Sequence, residues 1–180
     1  MLAPLSAQAA TSDPAPLQGS GISTTTAPTA GGDPDTTMMF TVTSGALTMS
    51  APASANLGSG APGTTISSPL GTIEVADDRA LLSASWTATA SSTIWVTGTG
   101  TGSETIPANA ATYTPGPIQT TGVITATGQA ITLTTSAQTV VTGSAGVGDS
   151  TASWDPTIAV EVPPSAVSGT YTATLTQSVS

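Results

Sequence analysis

From Met38 onward, short apolar runs alternate with turn residues in the strand-and-turn rhythm of an all-β chain. Period-2 alternation predicts strands around Met38 to Thr43, Ala46 to Ser50, Thr72 to Ala76, Leu82 to Ala90, Thr93 to Thr97, Gly122 to Thr127, Ile131 to Thr135, Thr139 to Thr142, Thr157 to Val162 and Thr170 to Val179. The last is the clearest: Tyr171, Ala173, Leu175, Gln177 and Val179 point one way, toward the core, and Thr172, Thr174, Thr176 and Ser178 the other. The same parity sets Leu82, Ala84, Trp86, Ala88 and Ala90 on one face, and Ile158, Val160 and Val162 on another. β-branched Thr suits the solvent faces.

Gly- and Pro-rich pieces at Asn56 to Gly63, Gly98 to Gly102, Thr114 to Pro117 and Gly143 to Gly148 read as loops, and Pro163 and Pro164 end a strand because neither can donate to a ladder. Helical periodicity is nearly missing, and no fixed-period repeat suggests a solenoid. The expectation is a single antiparallel β-sandwich, immunoglobulin-like or a related Greek key, with an extended N-terminal arm.

The arm covers residues 10–36, where Pro, Gly, Ser, Thr and Asp displace any periodic pattern. Ahead of it, LAPLSAQAA reads as the tail of a secretory signal, with a small-x-small site at Ala7, Gln8 and Ala9; an Ala-rich terminus is the other reading. Residues 1–9 are therefore expected to be a signal-peptide remnant and 37–180 the β domain, in a secreted protein of the cell surface or cell wall. No stretch approaches the roughly 18 apolar residues of a membrane span, so no membrane insertion is expected.

Composition narrows the chemistry. Only 6% of the 180 residues are charged and 38% are hydrophobic, so Ala, Val, Ile and Leu must supply most of the core. The net charge of -9 sets ten carboxylates against one guanidinium, Arg79. A surface of that sign repels phosphate backbones and anionic head groups, which argues against nucleic acid. With no His, Cys or Lys there is no disulfide, thiol nucleophile, Cys-ligated metal or Schiff base. Asp77 and Asp78 are adjacent and diverge, unlike the paired carboxylates of a glycosidase. Asp33-Pro34-Asp35 lacks the alternating ligand pattern of a dedicated calcium loop and reads as a solvated charge pair. The expectation is no catalytic residue, no metal and no cofactor. Thr at every second residue suggests an ice-binding face, but the strand spacing is irregular.

Arg79 is the sharpest single position. A guanidinium holds a carboxylate through two parallel hydrogen bonds, so an Asp77–Arg79 clasp is expected to fix the entry to the Trp86 strand; recognition of a ligand carboxylate is the other reading. Trp86 shares its face with Leu82, Ala84 and Ala88 and is expected in the core. In Ile94-Trp95-Val96 the aliphatics share one face, which puts Trp95 on the other and exposed if they are core. An exposed ring is a stacking platform for sugars, and equally a second-sheet contact or a subunit interface. Trp154, beside Asp155-Pro156, and Tyr113, before Thr114-Pro115-Gly116, sit near loops, where they either join such a ligand surface or pack locally.

Three segments, FTVTSGALTMSAP (40–52), GTIEVADDRALLSASWTATAS (71–91) and VEVPPSAVSGTYTATLTQS (160–178), together resemble the WxL-type cell-wall-binding domain of Gram-positive surface proteins. The second matches a pattern of strand, Asp-x-Arg and Trp-containing strand, which implies that Asp77 rather than Asp78 partners Arg79. The third matches a closing Val-Pro, Gly-Thr-Tyr and Thr-rich strand, which includes Tyr171. The signature W-x-L itself is not intact: Trp86 is followed by Thr87 and Ala88, and the final strand reads Gln177, Ser178, Val179. The resemblance implies a binding module, not an enzyme, that associates non-covalently with a cell-wall glycan or a wall-associated surface protein. The alternative is a self-associating structural subunit of an extracellular fibre or layer, assembled through the arm or through strand edges.

Overall fold

A computed structural model describes residues 36–180; the expected leader and the arm up to Asp35, with its Asp33–Asp35 pair, lie outside the described residues. The chain divides between Phe40 and Thr41. The alternation of apolar residues with Thr and Ser in the second unit produces eleven strands: β1 (Leu47–Ser50), β2 (Thr65–Pro69), β3 (Ile73–Ser92), β4 (Trp95–Val96), β5 (Thr105–Ile106), β6 (Ala111–Thr114), β7 (Ile118–Gly128), β8 (Ile131–Thr132), β9 (Gln138–Trp154), β10 (Thr157–Glu161) and β11 (Leu175–Val179). Two one-turn 3-10 helices, Gly102–Glu104 and Ala108–Ala110, interrupt them.

The architecture is an antiparallel β-sandwich. One sheet has the order β1-β3-β9-β7, with β11 also paired to β3, and the other the order β2-β10-β6-β8. Ile73, Val75, Trp86, Ala88, Val141, Ala152 and Trp154 of the first sheet pack on Ala111, Tyr113, Ile131, Ile158 and Val160 of the second, all nearly or fully buried. Each large side chain buried here stabilises the fold by roughly 2–3 kcal/mol.

Expected strands Thr72 to Ala76 and Leu82 to Ala90 are one continuous 20-residue strand, β3. Its inward parity changes midway: Ile73, Val75 and Asp77 face in, and then Ala84, Trp86, Ala88 and Ala90 do. Ala80, in the left-handed region at φ 54°, and register shifts against β9 on either side of Leu81 supply the change. This overturns the expectation for Leu82, which is 83% exposed rather than in the core. Ala145 at φ 55° and Gly122 at φ 74° mark matching irregularities in β9 and β7.

The stretch Gly143 to Gly148, expected as a loop, lies inside β9. Gly143 and Gly146 are there for cross-strand fit, and Gly148 for its left-handed backbone at φ 67°. A Cβ at Gly143 would fall on the Trp86 indole, and one at Gly146 would sit 2.8 Å from the Ala84 Cβ. Met38 to Thr43, expected as the first strand, has no secondary structure, and Met38, Met39, Phe40 and Val42 are 90%, 83%, 91% and 71% exposed. The closing strand is shorter than expected: Thr172 makes only an isolated bridge to Val96 before β11 begins at Leu175.

Candidate functional site

Of the residues singled out in the sequence, two groups are structural in geometry. The first is at the bulge of β3. Asp77 is fully buried and accepts from Arg79 through both oxygens, Nε to Oδ1 and Nη2 to Oδ2, each at 2.8 Å, with the Arg79 backbone N–H adding a third bond at 3.2 Å. The guanidinium, by its hydrogen bonds more than by its charge, holds the Asp77 carboxyl below the usual carboxylate range against the opposing effect of burial. Nη2 also donates to the Ser85 carbonyl at 2.8 Å, so Arg79 straddles the irregular part of the strand. The fork of the guanidinium is thus spent on the protein itself.

The second group is Tyr113 and Trp154, expected near loops, either on a ligand surface or packed locally. Both are core residues instead, 0% and 2% exposed. Tyr113 alternates with Ala111 as the inward pair of β6, and Trp154 follows Ala152 inward at the end of β9. Trp154 Nε1–H donates to the Tyr113 hydroxyl at 2.8 Å, and that hydroxyl lies 3.4 Å from Gln177 Oε1. Burial pushes the Tyr113 hydroxyl up to about 12, with the bond from Trp154 opposing. Trp86 is 3% exposed and in the core.

Trp95 reverses the expected facing. Ile94 is 46% exposed, while Trp95 is half-buried and packs against the core cluster. It is held in a short ladder: Trp95 pairs with Ile106 across β4 and β5, and Val96 exchanges backbone bonds with Thr172 on the other side, at 2.9 and 3.0 Å. Trp95 lines two cavities, of about 290 Å³ and 680 Å³, which share Ala55, Leu57, Trp95, Tyr171 and Thr172 as walls. Tyr171 is fixed by its hydroxyl, which lies 2.9 Å from the Ser103 carbonyl and 3.1 Å from the Val167 carbonyl and accepts from the Val167 N–H at 3.2 Å. Asn56 shapes the opposite wall by accepting from the Gly58 N–H at 2.9 Å.

The lining is uncharged throughout. It combines Trp95, Tyr171 and aliphatic side chains with hydroxyls and amides such as Ser54, Asn56, Thr174 and Gln177. Trp95 Nε1 is buried without a hydrogen-bond partner among the described residues, a donor whose desolvation is uncompensated by about 1–3 kcal/mol. Such a lining suits a neutral ligand with apolar faces and hydrogen-bonding edges. Among the described residues no three His, Cys, Asp or Glu side chains gather in a way that holds a metal ion.

Sequence reasoning found Trp95 and Tyr171 but not their meeting, nor the Ala55–Leu57 wall, because the groove joins segments that are far apart in the chain and carry no local motif. Comparison with protein-family models, with curated proteins and with solved structures finds no match to this chain.

Proposed function

We propose that this is a secreted, non-catalytic cell-surface protein that associates non-covalently with the bacterial cell wall, through peptidoglycan or a wall-associated protein. The uncharged pair of cavities lined by Trp95 and Tyr171 is the observation that carries the reading. A sugar presents apolar C–H faces to an indole and hydroxyls to amides and threonines, which is the chemistry of this lining. The resemblance of segments 40–52, 71–91 and 160–178 to a WxL-type domain supports the same assignment. A net charge of -9 disfavours attraction to anionic wall polymers, so the affinity comes from stacking and hydrogen bonds.

The test is sedimentation with purified peptidoglycan at low and high salt. Binding is expected to be salt-resistant and to fall about tenfold or more, a loss of about 1.4 kcal/mol, in Trp95→Ala and in Ser54→Glu, whose new charge sits on an exposed rim position. Failure of the parent to sediment with the wall, or undiminished binding by both variants, would overturn the reading.

A further inference from the structure

The described chain carries an apolar strand sequence without a sheet and a sheet edge without a strand. Met38–Thr43 alternates Met, Phe and Val with Met and Thr, and its large side chains are 71–91% exposed. It joins through Ser44 to Gly45, whose N–H bonds the Asp78 carbonyl at 2.7 Å and so starts β1 along β3. β7 is at the opposite end of the same sheet, paired with β9 on one side and with no described residue on the other. Irregularities between Thr121 and Thr125 leave a straight run to Gly128, along which Ile124 and Ala126 reach the core yet remain half-exposed. Beside bulges, which β7 has only as far as Thr125, the features that keep an exposed edge strand from pairing are a charge and a proline. Ile118–Gly128 carries neither, and neither does Met38–Thr43, in a chain whose ten carboxylates all lie elsewhere.

From this pairing of features we infer that Met38–Thr43 of one copy adds as a strand to the outer edge of β7 in a second copy. The added apolar side chains cover Ile124 and Ala126, and the ladder satisfies backbone groups on both strands. The donor segment and the acceptor edge are different parts of the chain, so the contact is heterologous and repeats head to tail, giving polymers rather than a two-fold dimer. The inference rests on neither the wall-binding reading nor its groove.

Sedimentation velocity of the full chain over a range of concentrations tests it. The parent is expected to form concentration-dependent polymers. A donor variant, Phe40→Asp with Val42→Asp, is expected to be monomeric. So is an acceptor variant, Ala126→Lys, whose ammonium reaches water past the open edge but is buried once a strand arrives; Thr127→Lys, at an exposed position, repeats the block without touching the core. Mixed, the donor and acceptor variants retain one intact partner each and are expected to give dimers of one copy of each, and nothing larger. A parent that stays monomeric at every concentration, a donor variant that polymerises like the parent, or a mixture of folded variants that stays monomeric would overturn the inference.

Discussion

The two long edges of the main sheet are finished in opposite ways. On the β3 side, β1 covers Glu74 to Asp77 and β11 covers Ala88 to Ser92. The flanking bonds, Asp78 N–H to the Ala46 carbonyl and Ser180 N–H to the Thr87 carbonyl, extend that cover to leave a gap of eight residues, Arg79 to Trp86. Into this gap reaches Arg79, the chain's single basic side chain, bonding Asp77 and the Ser85 carbonyl. On the β7 side there is no cation, no proline and no covering strand among the described residues. On one side two short strands cover most of β3 and the guanidinium bonds within the gap between them; on the other the long strand β7 has no described partner, and that contrast gives the solitary cation a place in how the sheet is finished.

The comparison breaks most severely at Arg79. Arg79→Ala strands a buried carboxylate and is expected to cost about 3 kcal/mol in urea unfolding, and it also uncovers the Ser85 carbonyl on the β3 side. Replacing Asp77 as well, in Asp77→Ala/Arg79→Ala, is expected to recover part of that loss, since no charge is then left unpaired. Arg79→Lys keeps the charge but not the planar fork that spans two carboxylate oxygens and a carbonyl, so its cost is smaller, about 1–2 kcal/mol.

Acid sharpens the same contrast. Asp77 has a folded pKa below its unfolded one. Its contribution is therefore fully present above the unfolded value, near pH 4, and lost as pH falls through the folded value. In Arg79→Ala the unpaired carboxyl is destabilising only while ionised. The gap in melting temperature between parent and Arg79→Ala is expected to be widest at neutral pH and to narrow below about pH 4; a gap that widens in acid would contradict the clasp. At the open edge the smallest effect is expected: Thr127→Lys should leave monomer stability within about 0.5 kcal/mol of the parent while abolishing assembly.

How far these features were legible in the sequence depends on how local they are. The all-β class and the outward Thr were readable because period 2 is a local property. The Asp77–Arg79 pair was readable because its partners are two residues apart. Leu82 was misplaced because the bulge that begins at Ala80 is not over until Ala84: Leu81, Leu82 and Ser83 all face solvent, so the parity read from Trp86 does not extend back to Leu82, and nothing in Arg-Ala-Leu-Leu announces that. Gly143 to Gly148 looked like a loop because the reason for its glycines, the Trp86 ring and Ala84 on β3, lies more than fifty residues away. Tyr113 and Trp154 were drawn to the surface by neighbouring prolines, although the alternation of Ala111 with Tyr113 and of Ala152 with Trp154 already carried the inward signal. β2 escaped notice because Thr-Ile-Ser-Ser-Pro offers a single large apolar side chain. Met38–Thr43 has the pattern of a strand, and no strand of the described chain receives it.

Residue-resolved amide hydrogen exchange, followed as the protein is concentrated, tests the contrast between the edges most directly. The account predicts that amides of Ile124–Gly128 facing away from β9 exchange rapidly when dilute and become protected together with Met38–Thr43 as concentration rises, while the Arg79–Ser85 stretch does not change. Protection that appears at Arg79–Ser85 instead, or that appears at neither edge, would contradict it.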